Sequence, residues 1–169
     1  MKINTLKDMF IHTLKDINYA ENKILKALPS MIKAADDADL KAALTAHQDE
    51  TAGQIARIKQ VFALIGVKPA AVECDAINGI LKEGEGMIED TDGTAMADSG
   101  VIATGQAVEH YEMVRYRSLV MWAGSLGMDE AVTLLQQSLD EERAADEKLM
   151  AFAAYCQTPS TNEGKDKAA

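Results

Sequence analysis

Seven side chains in this sequence have the types and spacing to do chemistry together: Glu21, His47, Glu50, Glu109, Glu112, Glu142 and Asp146. Each falls within a helical repeat of apolar residues, where an isolated charge is costly. Glu21 continues the series Ile17, Ile24 and Leu28. His47 and Glu50 share a face with Leu40, Leu44, Gln54, Ile58 and Val61, and their spacing lets both reach one point. In the stretch QAVEHYEMVRYRSLV, Glu109 and Glu112 align with Val101, Gly105, Val108, Tyr116, Leu119 and Ala123, while His110 turns outward. Glu142 and Asp146 lie with Leu135, Leu139 and Leu149, and Glu141 falls off that face. No Lys or Arg reads as inward beside them. So many buried carboxylates cannot all stay ionised. Either some are protonated or cations neutralise them, and a pair of divalent or trivalent metal ions supplies about the charge required. Glu50 and one of Glu109 or Glu112 are placed to bridge two metals, with Glu21, Glu142 and His47 holding the ends.

A hydrogen-bonded polar layer is the competing reading of the same residues. His47 fits a satisfied core histidine as well as a ligand, and Asp146 fits the edge of its stripe as well as a ligand. Tyr116, one turn beyond Glu112, reads as a core tyrosine rather than a redox participant. His12 and His110 read as solvent-facing, and the nine methionines as gap-fillers.

These side chains meet only if four long helices hold them at one level. Thr5 with Asp8 forms a capping box for a first helix, whose apolar period runs to about Ala35, and Pro29 inside it predicts a kink near the preceding turn. A second helix starts in DDADLK and runs to Ile65, where Gly66 stops it as a left-handed cap. VKPAAVE reads as a linker, and a short helix from about Cys74 to Glu89 is weakened by Gly79, Gly84 and Gly86. After the DTDGT turn, a long helix spans about Ala95 to Ser125, and after LGMD the last spans Glu130 to Gln157. The tail from 158 to 169 is polar and reads as disordered, leaving one domain over 1–157. Tight links make two antiparallel hairpins, and the segment between them must travel most of a helix length. The expected fold is all-α: a four-helix bundle with one long crossover that carries a short extra helix.

Composition excludes other functions. A hydrophobic share of 47% with only 5% aromatic suits helix packing by Ala, Leu, Ile, Val and Met. A net charge of −10 argues against nucleic acid as a partner, because phosphate binding needs a basic face. No apolar run reaches membrane-spanning length, and the N-terminal residues lack the pattern of a signal peptide. Cys74 and Cys156 are far apart and have no metal-ligand spacing, so both read as free thiols in a reducing, cytoplasmic setting. Nothing supports a phosphate loop or a Ser-His-Asp or Cys-His constellation.

The segments NYAENKIL, HQDETAGQI, VEHYEMVRYRSL and LDEERAADEKL make the chain resemble the YciE/YciF family of bacterial ferritin-like stress proteins, from about Ile3 to Tyr155. The most specific of these is H-x-x-E-T-x-x-Q in the second helix. The resemblance implies a ferritin-like bundle, a homodimer and a di-metal centre, with iron first and manganese as the alternative. It points to the handling of iron, dioxygen or peroxide under stress. A non-enzymatic helical scaffold with structural metals is the other reading. Ferritin-like di-iron proteins take Glu-x-x-His from two of their helices. Here Gly53 follows Glu50 and Ala145 follows Glu142 at those positions, and the histidine precedes its glutamate as His47. A site so poor in histidine is hard and oxygen-rich, which suits manganese as well as iron.

Overall fold

Thr5 opens the first helix as its sequence predicts. Its hydroxyl accepts from the Asp8 amide at 3.0 Å, and the Asp8 carboxylate accepts from the Thr5 amide at 3.0 Å. The computed structural model describes residues 2–156, which form five helices: α1 (Leu6–Ala34), α2 (Ala38–Leu64), α3 (Asp75–Thr91), α4 (Ala97–Ser125) and α5 (Asp129–Cys156). The boundaries fall within two residues of the expected ones. Gln157, the polar tail and the side chain of Cys156 lie outside the described residues. α1 is continuous through Pro29, which sits on its exposed side.

Two left-handed glycines end helices: Gly66 turns the chain out of α2 into the crossover, and Gly127 makes the corner between α4 and α5. Gly66 has φ 68°, the Val67 amide donates to the Phe62 carbonyl, and the Gly66 amide donates to Ala63. Gly127 has φ 69° with the same pair of bonds, from Met128 to Ala123 and from Gly127 to Gly124. Both are Schellman caps, a conformation that strains any residue with a Cβ.

α1 packs on α2 and α4, and α5 packs on α2 and α4. Each of these neighbouring pairs runs antiparallel. Asp98 at the start of α4 accepts from the amides of Asp36 and Asp37 at the end of α1, whereas Asp16 near the start of α1 meets Arg115 far along α4. Across α2 and α5, Glu50 faces Lys148 and Arg57 faces Ser138. This up-and-down arrangement brings the middles of all four helices to one level. The core on both sides of that level is apolar, with Phe10, Leu14, Leu119 and Leu139 on one side and Ile24, Leu28 and Val101 on the other, all 2% exposed or less.

The crossover is pinned to α1. The Asn18 amide group donates to the Ala70 carbonyl at 2.9 Å, and the Val72 amide donates to the Lys15 carbonyl at 3.2 Å. α3 then lies against α4 and α1. Gly84 makes the contact with α4 possible, since a Cβ there would overlap the Thr104 methyl. One expectation needs correction. Met9, Met87, Met96, Met121 and Met150 are 37–60% exposed rather than filling core gaps, and Met31 is the one buried among the described methionines.

Candidate metal centre

The expected inward stripes converge. His47 from α2, Glu109 and Glu112 from α4, and Glu142 from α5 are all buried, and each offers a ligand atom such that the four lie within 4.8 Å of one another. Glu21 of α1 is fully buried as well. The fully buried Tyr116 donates its hydroxyl hydrogen to Glu21 Oε1, leaving Oε2 without a partner. His47 Nε2 lies 3.2 Å from Glu109 Oε1, and Nδ1 lies 3.5 Å from Glu50 Oε2.

The remaining two candidates sit at the margin. The Glu50 side chain is 32% exposed, and its Oε1 lies 3.8 Å from the Lys148 ammonium. Asp146 faces away from the convergent four. Its Oδ2 lies 3.3 Å from His110 Nε2 and its Oδ1 accepts from the Gln106 amide group at 3.4 Å. His110 itself is outward, with a side chain 65% exposed.

Reading helix faces missed one buried cation. The sequence places no cation inward, yet the Arg57 side chain is only 12% exposed, pairs with Glu141 and donates to Ser138 Oγ at 3.0 Å. A long side chain starting at the stripe edge can fold its head inward along the neighbouring helix, which periodicity does not reveal. Gln54 is fully buried with an unpartnered carbonyl oxygen, while its amide group donates to Glu141 at 3.3 Å. Its burial agrees with its place on the face of His47 and Glu50 in the sequence.

The electrostatics follow from crowding. Burial, reinforced by the charge of Glu142, raises the Glu21 carboxyl well above its ordinary range. Burial does the same to Glu112, with Glu142 and Glu21 as the charges that add to it, and to Glu142, with Glu109 adding most. Glu109 is pushed up to about 8, again mainly by burial. Burial pulls His47 down, but the adjacent Glu50 carboxylate and the charges of Glu142 and Glu21 outweigh it, and the imidazole is raised. Glu50, held by His47 and Lys148, is lowered.

The residues fit a metal. Buried polar atoms almost always find hydrogen-bond partners. Here Glu21 Oε2, both His47 nitrogens, Glu50 Oε2, Glu109 Oε2 and both oxygens of Glu112 and Glu142 have none. A hydrogen-bonded polar layer would have satisfied them. The donor set is a hard array of carboxylates with one imidazole.

Comparison with known proteins agrees in fold and kinship. The family described as a domain of unknown function, DUF892, matches residues 5–161. The chain belongs to the DUF892 family. It is 38% identical over 154 residues to Protein YciF of Escherichia coli, covering 90% of this chain and 93% of that protein. The crystal structure of that E. coli stress protein superposes with a TM-score of 0.89 at 36% identity, over 94% of this chain and all of the other. YcfI of Rhodopseudomonas palustris, proposed to be a structural protein, superposes with a TM-score of 0.86 at 45% identity, over 88% of this chain and 95% of that one. The YciF kinship read from the helix motifs is therefore established, and the ferritin-like bundle with it. No described helix is long and apolar enough to cross a membrane.

Proposed function

We propose that the chain is a dinuclear metal-carboxylate protein that handles iron, dioxygen or peroxide under stress. The observation that carries this reading is the set of buried carboxylate oxygens and imidazole nitrogens without hydrogen-bond partners, drawn from three helices to one point, with the buried Glu21 of α1 adding an unpartnered oxygen. His47, Glu109, Glu112 and Glu142 would hold the metals, with Glu21 and Glu50 completing the set. Iron is the first candidate and manganese the second, because the donors are mostly oxygen. When bound, the metals supply Lewis acidity and, in the case of iron, electrons for dioxygen or peroxide.

The chain's own groups then do the following. Tyr116 fixes the orientation of Glu21 through its hydroxyl. Glu50 orients His47 from the solvent side. The apolar layers of Leu14, Ile17 and Leu119 on one side and of Ile24, Leu28 and Val101 on the other keep water from the centre along the bundle axis. YciF is described as a stress protein, and the proposal extends that setting to this chain, in the cytoplasm and as a homodimer. Val114 and Met121, exposed one heptad apart on α4, offer apolar surface to a second copy.

The test loads metal-free protein anaerobically with about two ferrous ions per chain and then admits dioxygen or peroxide. We expect near-ultraviolet absorbance to rise faster than in protein-free buffer, and Glu50→Ala to slow the rise. Elemental analysis should show less bound metal in Glu112→Gln than in the parent. Full loading that raises the melting temperature without faster iron oxidation would favour the scaffold reading, in which the metals are structural.

A further inference from the structure

Beside the convergent carboxylates, on the side of α2 and α5, the packing leaves a gap. A cavity of about 20 Å³ lies between Leu44, His47, Glu50, Glu109, Ala145 and Lys148. Room of that size holds about one water-sized particle. Its inner wall carries His47 and Glu109, 6% and 3% exposed, with unpartnered atoms on both. Its outer rim carries Glu50 and Lys148, whose side chains are 32% and 49% exposed. The cavity exists because Ala145 is small: a larger side chain at that place on α5 would fill it.

We propose that this cavity is the port through which divalent cations reach the centre, and that the Lys148 ammonium is a removable placeholder for the arriving charge. The inference rests on the metal reading above. Donors of rising burial form a path inward: Glu50 at the rim, His47 beside it at 3.5 Å, and Glu109 beyond at 3.2 Å. A hydrated cation is larger than the cavity, so it sheds water stepwise, with the Glu50 carboxylate replacing the first molecules lost. In the metal-free protein, Lys148 balances Glu50 at 3.8 Å. It stands on a long, half-exposed stem and can swing into solvent when a doubly charged ion takes its place.

Cobalt(II) is a suitable probe, because its visible absorbance reports coordination directly and requires no turnover. Metal-free full-length protein is mixed rapidly with cobalt(II), and the rate and the final cobalt per chain are read separately. Lys148→Ala should load about three- to fivefold faster than the parent, the effect of removing a half-exposed ion pair, and reach the same final amount. Ala145→Phe should load roughly tenfold slower or worse, a barrier increase of about 1.4 kcal/mol. Circular dichroism checks that its helices are intact, and Ala145→Leu serves if they are not. Equal loading rates in the parent, Lys148→Ala and the filled variant would overturn the port while leaving the metal centre standing. A parent that takes up no cobalt at all would instead overturn the centre, and the port with it.

Discussion

Tyr116 and Glu21, both without exposed surface, are joined by a hydrogen bond from the phenol to one carboxylate oxygen, linking α4 to α1 at the level of the candidate centre. The other Glu21 oxygen has no partner. Tyr116→Phe keeps the ring and strips Glu21 of its sole hydrogen bond. A buried polar group left unsatisfied costs about 1–3 kcal/mol. We expect the metal-free protein to lose stability by that amount in urea unfolding, and the metal-loaded protein to lose less, because a cation would satisfy the same oxygen. An equal loss in both states would separate Glu21 from metal binding.

Stability of the metal-free protein should fall as pH rises above the ordinary carboxylate range. The buried glutamates are raised in the folded state, with Glu109 at about 8. Between the unfolded value and the folded one, the native protein binds more protons than the unfolded chain, so the unfolding free energy declines with pH. His47, also raised, acts in the same direction above its ordinary value. Glu50 is lowered, and its contribution is lost only on acidification through the folded value. Chelator treatment of metal-loaded protein should therefore lower the melting temperature much more at about pH 8 than at about pH 5.5. A chelator effect independent of pH would mean that the carboxylates do not repel one another in the core.

The glycines of α3 should respond to alanine with opposite signs. Gly84 faces Thr104, whose hydroxyl is fixed on the Gly100 carbonyl at 2.9 Å, so Gly84→Ala forces the two helices apart at a cost of about 1–3 kcal/mol. Nothing lies within 4 Å of a Cβ at Gly79 or Gly86, and alanine there should stabilise by roughly 0.5–1 kcal/mol through helix propensity alone. Thermal unfolding of the three variants, with Thr104→Ala as the partner in a double-mutant cycle, checks the assignment. Relief of the Gly84→Ala penalty by Thr104→Ala is the expected coupling.

Local rules carried much of this molecule. The Thr5 capping box, the Gly66 corner and the 3.6-residue repeat are short-range signals, and each reappears in the structure. The inward turn of Glu21, His47, Glu109, Glu112 and Glu142 was legible because a carboxylate inside an apolar stripe has few places to go. What periodicity could not supply was identity of neighbours. Arg57 reads as a surface residue until α5 is known to lie beside it with Ser138 and Glu141. Asp146 shares the stripe of Glu142, but Gln106 and His110 of α4 lie within reach of it on the far side. Gly84 reads only as a weak point in a short helix until Thr104 is placed opposite. Each miss is a property of a helix pair rather than of a helix.

The antiparallel setting of neighbours among the four long helices has an electrical consequence. Each of the four begins where its two bundle neighbours end, so their axial dipoles oppose one another. Glu112 stands about 22 Å from the start of α4 along its axis, and a helix end acts only within a turn or so. No backbone amide is therefore poised to offset the negative charge at mid-bundle. Beyond the fixed charge of Arg57, which is paired with Glu141, compensation comes from mobile species, protons when no metal is bound and cations when it is. Loading should accordingly acidify the medium, each arriving ion expelling hydrogen ions that had held the carboxylates together.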